Sequence, residues 1–263
     1  MIAIIQILGF ALLPVILLIA FVYWKDRKQP EPPLELTKAF IGGVLSIIPV
    51  FGYAISLQIL GWTTDLITGP PLLKSIADSF INAAIPEEIA KLGVLWFVTK
   101  NNPHFDEYMD GIVYATFVSL GFAGIENIFY LFDNTDNWMA VGSIRALFSV
   151  PGHFGNAVLM GYYYSLLRFK TTRKTQHLIL LITAPILAHG IFNSLLMSMG
   201  QIESTPMILL VFFVFLAFCI SLWIYGTKRM KGHLRRDHKY RMYKQQETME
   251  DTIQRENGDQ EIG

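Results

Sequence analysis

Residues 79–100 read "SFINAAIPEEIAKLGVLWFVTK", an oily run with two glutamates and a lysine set into it, directly behind a proline. If this run crosses a bilayer, each charge costs about 2.5–3.5 kcal/mol at the centre, and Glu87, Glu88 and Lys91 need a reason to be there. The rest of the chain decides the matter. Its 263 residues are 52% hydrophobic and only 16% charged, with a mean hydropathy of +0.41. Soluble domains carry about a quarter charged residues. Seven stretches approach the roughly 20 apolar residues that a helix needs to span a membrane. They lie near 2–24, 37–60, 72–99, 110–132, 140–168, 178–198 and 206–226. The expected fold is therefore all-α, a polytopic membrane protein of about seven transmembrane helices. A zero formal net charge argues against nucleic acid as a partner, and a single cysteine, Cys219, excludes an internal disulfide.

Loop charges give an orientation. Lys25, Arg27 and Lys28 follow the first span, "RFKTTRKTQH" the fifth and "GTKRMKGHLRRDHKYR" the seventh. The alternate loops "GWTTDLITGPP", "LFDNTDNW" and "GQIEST" hold no lysine or arginine. By the positive-inside rule the N-terminus faces outside and the C-terminus the cytoplasm. The first span has no basic residue before it and no small-residue cleavage site after it, so it reads as retained. Residues 1–226 then form the transmembrane domain in the cell membrane. Residues 227–263 form a charged cytoplasmic tail, its basic part near lipid head groups and its acidic end disordered.

Four spans carry ionisable or strongly polar groups in their apolar interiors: Glu87, Glu88 and Lys91; Glu126 with Asn127; His153; and His189 with Asn193. Glu87 and Lys91 are four apart and share a helix face, as do His189 and Asn193. Glu88 points about 100° away from Glu87. Pro86, Pro151 and Pro185 each precede one of these groups and can bend its helix inward. At about 1.5 Å per residue, the groups lie between mid-membrane and the outer leaflet. Arg145 reads as a residue snorkelling to the head groups, and Asp110 as a helix cap.

"PEEIAK", "GFAGIEN", a histidine in a proline-led segment and "HGIFN" together resemble the PrsW family of intramembrane proteases, relatives of the CAAX prenyl proteases and of bacterial immunity-type membrane proteins. The resemblance covers residues 80–195. The wider superfamily has EExxxR and FxxxH in its first two motifs. Here Lys91 falls one position earlier than that arginine and Glu126 stands where the histidine would be, as in the PrsW branch. The resemblance implies hydrolysis of a peptide bond in a membrane-anchored protein near the outer side of the bacterial cytoplasmic membrane. It also implies an anti-sigma factor as substrate, cut first here in stress signalling.

Peptide hydrolysis needs an activated water, a proton donor for the leaving amine and donors for the oxyanion. Glu87, Glu88, Glu126, His153, His189 and Asn193 are the catalytic candidates, supported by Lys91 and Asn127. Lys91 can keep Glu87 ionised where burial alone would protonate it. His189 and Asn193 suit oxyanion donation. A glutamate-only site and a divalent metal such as zinc, on Glu87, Glu126, His153 and His189, both fit these residues, although the spacing is unlike HExxH. Outside the enzyme class, the same inward-facing groups suit a proton- or cation-coupled transporter or a membrane scaffold.

Overall fold

The computed structural model describes residues 2–63, 66–170 and 172–261, and among these there are helices and no strands. In chain order they are α1 (Ile2–Lys25), α2 (Pro33–Leu45), α3 (Ile47–Ile59), α4 (Pro71–Ala77), α5 (Ile85–Thr99), α6 (Tyr108–Asp133), α7 (Trp138–Ile144), α8 (Val150–Phe169), α9 (Lys174–Met199) and α10 (Thr205–Glu261). Only helices and closed barrels satisfy every backbone group within lipid, so an all-helical answer follows from the composition. Among the described residues, five runs are long and apolar enough to cross a membrane: Ile4–Lys25, Pro33–Ile59, Tyr108–Asp133, Lys174–Met199 and Thr205–Glu247. The stretches expected at 72–99 and 140–168 are helical too, but each is interrupted.

Those interruptions have one cause. A π-helical segment, Asp78–Ala84, joins α4 to α5, and another, Arg145–Ser149, joins α7 to α8. Ile85 N–H bonds to Phe80 O and Val150 N–H to Arg145 O, five residues back instead of four. The next residue is a proline in both places, Pro86 and Pro151. Proline has no N–H, and its ring collides with the carbonyl four residues earlier. Widening the turn ahead of it removes that collision and lets the helix continue. A milder break separates α2 from α3. Pro49 denies Leu45 its helical partner, and Ser46 closes the turn by donating from Oγ to Gly43 O at 2.6 Å.

α6 is the hub. It packs against α1, α2, α5, α7, α8 and α10, and residues Met109 to Gly124 are buried all round. Small residues permit the closest crossings. A Cβ placed on Gly161 of α8 would lie 2.6 Å from Ile112 Cα, and one on Gly43 of α2 would lie 2.9 Å from Val118 Cα. The N-terminus of α6 carries the cap expected of Asp110, with Oδ2 accepting from Glu107 N–H at 2.6 Å and from Asp106 N–H at 2.9 Å.

The chain from residue 227 onward continues α10 as helix, to Glu261. Its first turns dock on the hub. Asp237 accepts from Tyr108 N–H at 2.8 Å and Met109 N–H at 2.9 Å, and Arg241 donates to both oxygens of Glu107. Beside this junction, just outside α1, Asp26 is buried. That burial, with Glu31, Glu107 and Asp237 nearby, pushes its carboxyl up to about 8. The folded state therefore holds a proton that the unfolded chain releases near the ordinary carboxylate pKa. Stability should fall as pH rises from about 4 to about 8 and level off above. In detergent, the melting temperature is expected to be lower at pH 8 than at pH 5, with Asp26→Asn narrowing the gap. An unchanged gap in that variant would move the effect to other groups.

Candidate active site

The two π segments set up the site. Glu87 and Glu88 lie two and three residues beyond Ile85, at the end of the first, and His153 lies three residues beyond Val150, at the end of the second. Glu126 comes from the last third of α6, and His189 lies one turn after Pro185 in α9. All of these except Glu126 are buried, and Glu126 is nearly so.

Lys91 stands at the centre, 1% exposed. Its Nζ is 3.1 Å from Glu87 Oε2, 2.9 Å from Glu88 Oε1 and 3.2 Å from His153 Nδ1, with the Phe122 ring centroid at 4.1 Å. Helical spacing alone put Glu88 off the Glu87–Lys91 face. The long lysine stem removes that separation by reaching one carboxylate at i−4 and the other at i−3. His189 Nδ1 lies 2.8 Å from Glu88 Oε1 and 3.9 Å from Glu87 Oε2. The His153 and His189 rings are 5.3 Å apart and nearly perpendicular.

On its far side His153 meets Glu126, Nε2 to Oε2 at 2.9 Å. An ammonium has only hydrogens to offer, so His153 Nδ1 accepts from Lys91 and Nε2–H donates to Glu126. The carboxylate of Glu88 likewise takes the hydrogen of His189 Nδ1, which leaves His189 Nε2 with a free lone pair. Ser119 Oγ donates to the carbonyl of His153 itself at 3.0 Å, tying the histidine's backbone to α6.

Arg145 does not reach for the head groups. Its guanidinium turns inward and is buried, Nη2 donating to Glu126 Oε2 at 2.7 Å and Nε to Asn127 Oδ1 at 2.6 Å, over the Tyr130 ring at 4.0 Å. Asn127 then donates to Ala11 O of α1 at 3.1 Å, so it holds Arg145 and α1 rather than Glu126. Glu126, whose sequence neighbours offer no cation, receives one from the next helix.

These groups border a cavity of about 330 Å³. Glu87, Glu126, His153, His189 and Asn193 line it, together with Arg145 and Asn156. Asn193 sits half-buried at its wall, and its carboxamide makes no hydrogen bond to another described residue. Tyr130, Ile144, Leu196 and Met197 give the rest an apolar lining. Arg145 and Asn156 were not among the sequence candidates for the site.

Three carboxylates, Glu87, Glu88 and Glu126, face two cations, Lys91 and Arg145. Counted as fully ionised, with neutral histidines, they leave one formal negative charge within the membrane region, where a proton or a cation would lower its cost. Two observations fit a metal ion. One ligand atom each from Glu87, Glu88, His153 and His189 falls within 4.8 Å of all the others, and Glu88 Oε2 is buried with no hydrogen-bond partner. Glu88 belongs to this close set and Glu126 does not; Glu126 Oε2 accepts from Arg145 and His153. Such a donor set can hold a divalent ion, and it can also hold a water among groups able to exchange its protons.

Comparison with known proteins completes the description. A family model described as PrsW family intramembrane metalloprotease matches residues 31–220. Protease PrsW of Clostridioides difficile is 36% identical over 87% of this chain and 92% of its own length. Protease PrsW of Oceanobacillus iheyensis is 34% identical over 86% and 95%, and that of Bacillus subtilis 28% identical over 86% and 94%. No solved structure matches the chain.

Proposed function

Because this chain belongs to the PrsW family of intramembrane proteases, we propose that the Glu87–Glu88–Lys91–His153–His189 cluster is its peptidase centre, cutting a membrane-anchored protein. An anti-sigma factor cut near the outer side of the membrane, as the first step of its removal, is the substrate that the motif resemblance favours. The carrying observation is the convergence of Glu87, Glu126, His153 and His189, from four helices, on one cavity. Family membership sets aside the transporter and scaffold readings.

Each residue has a task that its contacts allow. Glu87 faces the cavity and takes the proton of a water molecule, and the same carboxyl then gives it to the leaving amine. Lys91 holds the two adjacent carboxylates together against their repulsion. His189, fixed through Nδ1 by Glu88, presents Nε2 to the reacting atoms. Glu126 and Arg145 clamp His153 from behind, so its ring cannot rotate away. Asn193, free of partners, donates its amide hydrogens to the oxyanion. A divalent ion such as zinc, held by Glu87, Glu88, His189 and, once Lys91 no longer donates to its Nδ1, His153, would supply Lewis-acid polarisation and a water of lowered pKa.

The test is cleavage of a single-pass membrane-protein substrate by purified, reconstituted protein, with and without exhaustive chelation. Glu87→Gln is expected to lower the rate by about 100- to 10,000-fold, the usual worth of a general base. Activity lost to chelator and restored by zinc supports the metal. Undiminished cleavage after chelation removes the metal and leaves the glutamate site, whereas wild-type turnover in Glu87→Gln would remove the centre itself.

A further inference from the structure

One group on the cavity wall has no task so far. Asn156 is 3% exposed and lines the cavity, and its Oδ1 is buried without a hydrogen-bond partner. Nothing in the protein pairs with the rest of its carboxamide either, among the described residues. It lies on the face of α8 that borders the cavity, with Gly152 and His153, three residues beyond the histidine. An unpaired buried amide is unfavourable, and leucine would fill the same volume without that cost. The side chain therefore answers to something that enters the cavity.

The chemistry of the entrant follows from the medium. A peptide bond must leave its helix to be cut, and in lipid its N–H and C=O then lose their partners. A carboxamide offers an acceptor and a donor in one plane, the complement of a peptide group. This match holds whichever way the amide is turned. We propose that Asn156 is a substrate-binding residue that pairs with a main-chain peptide group of the unwound substrate beside the scissile bond. The inference rests on the peptidase reading above. It makes recognition at this point independent of side-chain identity, because every residue except proline presents the same two atoms.

The experiment uses full-length protein reconstituted with membrane vesicles from cells lacking it, and counts new protein N-termini over those formed by Glu87→Gln. Asn156→Leu is expected to lower the initial rate about 100-fold, in the range seen when one pre-placed hydrogen-bonding group is lost. Its melting temperature in detergent should equal or exceed that of the parent chain. Asn156→Gln, which keeps the carboxamide with its donor and acceptor, should retain more activity than the leucine variant. Cleavage by Asn156→Leu within twofold of the parent would overturn the proposal and leave the peptidase reading standing. So would a lowered melting temperature or failure to fold in Asn156→Leu, since that marks a structural amide. If the parent chain forms no new N-termini beyond Glu87→Gln, the peptidase reading falls and takes this inference with it.

Discussion

Replacing Lys91 by methionine is expected to abolish cleavage and to lower stability by about 3–5 kcal/mol, the usual cost of removing one partner from a buried ion pair. The side chain is almost fully enclosed and touches Glu87, Glu88, His153 and Phe122 at once. Methionine keeps the volume and the contact with Phe122 but leaves three carboxylates facing Arg145 alone. Without the ammonium the two adjacent glutamates would each favour the protonated form, and neither could then serve as a base at neutral pH. Lys91→Arg keeps the charge, yet a planar fork cannot place one point charge between three acceptors. It should recover part of the stability and little of the rate. Chemical unfolding in detergent and the vesicle assay read the two effects separately, and a methionine variant that cleaves normally would refute the central placement of this lysine.

The second large effect concerns Arg145. Arg145→Met strands Glu126 in the cavity wall with His153 as its remaining close partner, and it frees Asn127 as well. Both stability and rate are expected to fall, the rate by about 100-fold through loss of His153 positioning. Glu126→Gln should be milder for the fold, because an amide still offers an acceptor to His153 and to the guanidinium. Combining the two substitutions should be less damaging than their sum, with a coupling of about 0.5–3 kcal/mol for residues in direct contact. Strict additivity would show that the pair does not act as a unit.

Much of this was legible in the sequence. Lipid makes each buried charge expensive, so Glu87, Glu88, Lys91 and Glu126 stood out against their apolar neighbours, and the family resemblance joined them to His153 and His189. Partners across helices were harder to see, because face arithmetic works along one helix only. Hairpin arithmetic supplies the missing step. Glu126 and Arg145 are equidistant from the turn between Thr135 and Asp136, so antiparallel helices on a short turn bring them level. His153 and His189 are likewise equidistant from the connection between α8 and α9. Asn156 gave no such signal, since an uncharged asparagine between Gly155 and Ala157 carries too small a penalty to mark it. The docked part of α10 was hidden for a different reason. Its helix is held by Asp237 and Arg241 on the end of α6, a tertiary contact that no local pattern reports.

The two wide turns ahead of Pro86 and Pro151 behave as single inserted residues. Each one swings the chain before it by about 100° relative to an uninterrupted helix. The outward surfaces of α4 and α7 are thereby uncoupled in phase from the inward surfaces of α5 and α8. Selection can retune the first pair to a new lipid or a new client while the chemistry behind the second pair keeps its orientation.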